Sequence, residues 1–241
     1  VKDLYLVDTN LTTSELFKLI NLLQKDKRIE FIEPNFIRMI EPNTVDPFFA
    51  SQWSINNQGY LGGTNDADMD VDDAWAYATG TGIKVAILDT GVDLIHPDLQ
   101  GNLLPGFDAT GGNNNGNQTG NAHGTACAGI VAAVANNNSG VAGIAYNAKI
   151  IPVKVFPTVG NATDIMITNG INWAWQNGAD VLSNSYGGGS YSSTIENAIN
   201  SAVTNGRNGK GSVVLFSSGN DLVGNGNPVS FPANVNNAIA V

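Results

Sequence analysis

IKVAILDTG, residues 83–91, is an apolar run that stops at a carboxylate, Asp89. A strand buried on both faces reads this way, without the alternation of a half-exposed strand. Outward from it the same unit recurs. VDDAWAYA (71–78) reads as a helix before it, and GTACAGIVAAVA (124–135) as a helix after it. KIIPVKVF (149–156) is a strand, and ATDIMITNGINWAWQNG a helix closed by Gly178. ADVLSNS (179–185) is a strand, and STIENAINSAVTNG a helix closed by Gly206. SVVLFSS (212–218) is a strand, and AIAV (238–241) starts another. This alternation predicts an α/β fold, a mostly parallel sheet with helices on both faces. Functional groups in such a sheet gather at the carboxyl ends of its strands.

Residues 1–43 follow another pattern. KDLYLVD alternates like a strand. LTTSELFKLINLLQKDKRI has apolar residues at 16, 19, 20 and 23, a helical spacing opened by Ser/Thr caps. EFIEPNFIRMI reads as a strand interrupted by Pro34. The segment is therefore predicted to be a β-α-β appendage, joined through the linker EPNTVDP to a second unit at 44–241.

The 241 residues suffice for one sizeable core and one appendage. No apolar stretch is long enough to span a bilayer as a helix. A net charge of −10 repels phosphate backbones, which argues against nucleic acid as partner. It suits calcium, which takes oxygen ligands. Sparse charge with abundant Gly, Asn and Ser points to an extracellular enzyme with tight loops. Cys127 has no second cysteine to pair with, and its apolar surroundings read as core.

Four polar features fall at predicted strand or helix ends. Asp89 ends its strand, Ser185, Tyr186 and Gly187 follow DVLSN, and Asn220 follows SVVLFSS. His123 opens a helix after the polar loop 109–121. Alone, each has a bland reading: a turn aspartate, a structural histidine, a Gly-Asn turn. His96, in DLIHPDL, reads as a turn residue. On one rim, a carboxylate, an imidazole and an amide suggest acyl transfer. The carboxylate would fix the imidazole tautomer, the other ring nitrogen would deprotonate a hydroxyl, and the amide would donate to the oxyanion. A helix N-terminus disfavours imidazolium and so helps keep His123 a neutral base.

Together the motifs resemble the subtilases, the subtilisin-like serine proteases. VAILDTGVDLIHPDL is similar to their aspartate motif and HGTACAGIVAA to their histidine motif. NSYGG is similar to their substrate-binding strand and SSGN to their oxyanion asparagine. The resemblance covers about residues 46–241. It implies Asp89 as orienting acid, His123 as general base, Asn220 as oxyanion donor, and Ser185, Tyr186 and Gly187 as a strand that pairs with an extended peptide. DPFFASQW, HPDL and VANNNSGVAG are similar to segments that bind calcium in thermitase-like members. The implied ligands are Asp46, Asp98 and the Asn137 side chain, with backbone carbonyls near Val134, Ser139 and Val141. FIEPNF looks like the end of an inhibitory propeptide, so residues 1–43 are expected to be the later part of one, and the protein to be secreted or held at the cell surface.

The resemblance also implies a nucleophile in a Gly-Thr-Ser motif opening a later helix. The Gly-Thr pairs here are Gly63-Thr64, Gly80-Thr81 and Gly124-Thr125, and none is followed by Ser. The expectation is a protease sequence cut before its nucleophile and inactive by itself, the sheet losing cover from one face. The alternative is a non-catalytic, subtilase-like module that binds peptides. DTG is also used by pepsin-like proteases, but those need two copies on an all-β scaffold.

Overall fold

The computed structural model describes residues 5–7, 9–34, 44–220 and 229–241. The chain forms two compact units, Val1–Glu41 and Pro42–Val241. In the first, helix α1 (Thr13–Leu23) begins at Thr12, whose hydroxyl accepts from the Glu15 amide while Glu15 accepts from the Thr12 amide. This reciprocal cap satisfies two amides that the helix leaves open. The strands expected on either side are not formed at 5–7 or 31–34; the remainder of both expected strands lies outside the described residues.

The second unit is built on a parallel six-stranded sheet. Its strands are β1 (Lys84–Asp89), β2 (Phe107–Asp108), β3 (Lys149–Lys154), β4 (Val181–Asn184), β5 (Val213–Phe216) and β6 (Ile239–Ala240). Their order is β2-β3-β1-β4-β5-β6, with β1 at the topological switch between β3 and β4. Pairings leading away from a central β1 in both directions open a crevice at its carboxyl end. The expected VDDAWAYA helix is one turn, α2 (Val71–Ala74). The two-residue strand β2 was not predicted, since it carries too little pattern to recognise.

The faces divide by alternation along β1. Ala86 and Leu88 pack under α4 (Asp164–Gln176) and α5 (Ser193–Gly209), with Leu182, Val214 and Phe216. Val85 and Ile87 pack under α3 (His123–Ala132), against Ala128 and Ala132. Sealing each large apolar side chain here stabilises the fold by roughly 1.5–3 kcal/mol. The small residues of α3 let it lie close to the sheet. A Cβ at Gly124 would strike the Gly91 carbonyl and sit 2.9 Å from the Asp89 Cβ, so glycine there brings the helix start onto the strand end. At Gly91, φ is +94°, a conformation that suits glycine.

Among the described residues, α3 lies over β1 and β3. Beyond the helix, alternation puts Val181, Ser183, Val213, Leu215 and Ile239 on that side, and Val213 and Ile239 are exposed. Among the described residues no helix is long and apolar enough to cross a membrane.

Candidate active site

β1 delivers Asp89 to the sheet rim at 2% exposure. Its oxygens lie 2.8 and 2.9 Å from His123 Nδ1. A carboxylate accepts only, so Nδ1 carries the proton, and Nε2 of the neutral ring is left with a free lone pair. The His123 side chain is 51% exposed. A buried acid thus holds a base that faces outward.

The junction before α3 is tied down on the same strand end. Thr90 donates its hydroxyl proton to the Asn121 carbonyl at 3.0 Å and accepts from the Gly124 amide at 3.0 Å. Asn121 Oδ1 accepts from the His123 amide at 2.9 Å. Thr125, one turn in, accepts from the Asp93 amide and donates to Gln118. Two of the open amides of α3 are satisfied by residues of the rim, which locks helix, loop and strand together.

Cys127 lies one turn after His123, its Sγ 3.8 Å from Nδ1. Burial pushes its thiol up, the Asp89 carboxylate adds to the rise, and a hydrogen bond with Ser185 opposes it. The residue is half-buried against the Asp89–His123 pair. Its i, i+4 spacing from His123 was the signal in the sequence for this contact. Thr90 was equally legible, as the hydroxyl next to the strand-end carboxylate.

Ser185, Tyr186 and Gly187 follow β4, the strand beside β1. Tyr186 donates to Asn184 Oδ1 at 2.9 Å, and Asn184 donates to the Leu215 carbonyl at 2.9 Å. The Tyr186 ring meets Phe156 and Phe216 edge-on, with centroids 5.0 and 5.6 Å apart. Burial, then the Asp89 charge, pushes its phenol far up. Asn220 is exposed beyond the end of β5, and among the described residues it makes no hydrogen bond to the Asp89–His123 pair.

At the far end of α3 a second cluster forms. Asp46 and Asp98 are buried to 4% and 2% exposure. Asp46 accepts from the amides of Asn136 (2.8 Å) and Asn137 (3.1 Å). Asp98 accepts from Asn137 Nδ2 at 2.8 Å and from the Val141 amide at 2.9 Å. Asn137 Oδ1 accepts from the Ser139 amide, and the Asp98 carbonyl from the Val134 amide. The six residues picked from the sequence thus share one loop system. Among the described residues no basic side chain pairs with either carboxylate. Two buried carboxyl groups with no basic partner among the described residues, in an oxygen-rich loop, fit a hard divalent cation.

Fold and site together define an α/β protein of the subtilisin-like class. The sequence profile of the Subtilase family (peptidase S8) matches residues 80–241, and the chain belongs to that family. It is 46% identical over 168 residues to Thermitase of Thermoactinomyces vulgaris, covering 70% of this chain and 57% of that protein. It is 35% identical over 227 residues to the Thermophilic serine proteinase of Bacillus sp. strain AK1, covering 92% of this chain and 51% of that protein. The chain therefore spans about half the length of these relatives. Among solved structures, a protease of Pseudoalteromonas arctica PAMC 21717 superimposes with a TM-score of 0.60 at 37% identity, over 75% of this chain and 60% of that one.

Proposed function

We propose that this chain is part of a serine endopeptidase in which Asp89 orients His123 and His123 Nε2 takes the proton of a serine supplied from outside these 241 residues. The observation that carries the reading is the pair of 2.8 and 2.9 Å contacts from a buried Asp89 to an outward-facing His123. The base holds its proton on the Asp89 side, so its free lone pair points where a nucleophile would stand. The Asn220 amide donates to the oxyanion, and the backbone at Ser185–Gly187 pairs with an extended peptide. Among the described residues Val213 and Ile239 are exposed on the α3 side, which supports the reading that a further segment covers that face.

Asp46, Asp98 and Asn137 would hold calcium, with the carbonyls of Val134, Ser139 and Val141. The ion would neutralise the two buried carboxylates and stabilise the loop. The protein is secreted or cell-surface, acts on protein or peptide substrates, and has residues 1–43 as its own propeptide.

A second reading is a non-catalytic, subtilase-like module that binds extended peptides at Ser185–Gly187. The two separate in one experiment. The 241-residue chain and the natural gene product are both treated with a fluorophosphonate, which labels activated serines. The protease reading expects a labelled serine beyond Val241 in the gene product, lost in His123→Ala, and no casein turnover by the 241-residue chain. A gene product that ends at Val241, takes no label and still binds peptides establishes the module instead.

A further inference from the structure

Lys154 ends β3 with 4% exposure. In the sheet it stands in register between Asp89 of β1 and Asp108 of β2. Alternation from Ile150 puts it on the α3 side, the side Asp89 takes. Burying an ammonium is costly unless it is paired, and an apolar chain of the same length would fill this position without that cost. Yet among the described residues no carboxylate lies within ion-pair distance of it. Its ammonium donates instead to Thr119 Oγ1, at 2.5 Å.

An ammonium has only protons to give, so Thr119 is the acceptor there and keeps its own proton available. Thr119 Oγ1 is also 2.5 Å from Thr158 Oγ1, in the loop after β3. Three polar groups in line thus join the buried strand end to two loops. Thr119 lies four residues before His123, and Thr90 grips Asn121 two residues further on. Adjacent strands at the same level each hold the end of the loop that carries the histidine.

We infer that Lys154 is a positioning residue for His123, clamping through Thr119 and Thr158 the loop that brings the imidazole to Asp89. This rests on the reading of His123 as the general base. The clamp holds the loop from β3 while Thr90 holds it from β1. A hydroxyl acceptor suits the task, because a carboxylate at Thr119 would place another negative charge at the Asp89 rim.

The test uses the full 241-residue chain, with both histidines labelled with nitrogen-15. The readout is exchange of the His123 Nδ1 proton with water, and the His96 ring is the internal control. Lys154→Met and Thr119→Val are expected to speed this exchange by about three- to tenfold, the factor that one net hydrogen bond supplies. Thr119→Ser, which keeps the hydroxyl, is expected to restore the slow rate, and the His96 signals should stay put throughout. Should Lys154→Met fail to fold, Thr119→Val decides, because it removes one partly exposed hydroxyl and leaves the buried chain intact. A folded variant lacking the clamp, with His123 exchange unchanged, overturns the inference. An unmutated chain whose His123 carries no Nδ1 proton overturns the protease reading itself, so the two failures are distinct.

Discussion

At the amino end of α3, Asp89 gives both carboxylate oxygens to His123 Nδ1. At the carboxyl end, Asp46 and Asp98 give theirs to backbone amides and to the Asn137 side chain. All three acids are buried, so what differs is the partner. An imidazole can take and return a proton, and here it turns its free edge outward. Amides hold their protons, so the second cluster has no group placed to exchange one. The ten-residue helix α3 thus has, in the proposed reading, a proton-transfer site at one end and an ion-binding site at the other.

The comparison breaks first at Asp89. In the natural gene product, Asp89→Asn should lower kcat about 10⁴-fold, because the amide no longer fixes the ring's tautomer; steady-state kinetics on a peptide substrate reads this. Asn220→Ala should lower kcat by about 10²–10³-fold with KM little changed, the signature of an interaction made in the transition state. A raised KM with kcat unchanged would move Asn220 out of the oxyanion role.

The carboxyl end should answer to calcium rather than to activity. At 100 times its dissociation constant the ion should add about 2.7 kcal/mol, which for a domain of this size raises the thermal midpoint by roughly 5–10 °C. Asp98→Asn, which keeps the shape and removes the charge, should abolish the calcium dependence of melting. A midpoint indifferent to calcium in the unmutated chain would remove the ion from the account.

The smallest effect concerns Cys127. Its thiol is raised above the ordinary value of 9.0 by burial first and by Asp89 second. The folded state therefore holds this proton more tightly than the unfolded chain does. The resulting stability is fully present below pH 9 and is lost as pH rises through the folded value. Melting midpoints above pH 9 should fall less steeply for Cys127→Ser. Alkylation by iodoacetamide, which needs the thiolate, should be slow at neutral pH.

Much of this was legible in the letters. The β-α alternation stood out because a strand buried on both faces reads as an apolar run, which β1 and β3 carry. Asp89 and His123 were legible because strand ends and helix starts are where side chains reach a shared rim. The acids of the second cluster came from resemblance, since their 52-residue separation encodes no local pattern. The strands expected around α1 did not form at 5–7 or 31–34; short alternation without partners carries little energy. Lys154 stayed hidden because its role depends on a hydroxyl 35 residues away, which only the folded loop brings into reach. Cys127 packs against the α3-side core as its apolar neighbours suggest, but its contact with His123, one turn back, is not visible from those neighbours.

The two histidines offer the most direct measurement. His96 Nδ1 accepts from the Asp98 amide at 3.2 Å, which puts the neutral ring's proton on Nε2. His123 Nδ1 donates to Asp89, so its neutral ring bears the opposite tautomer. Nitrogen-15 spectra of the labelled chain at alkaline pH should show one histidine of each kind, with the Nδ1-protonated ring converting in Asp89→Asn. Two histidines both protonated at Nε2, unchanged by that substitution, would contradict the pairing on which the proposed chemistry stands.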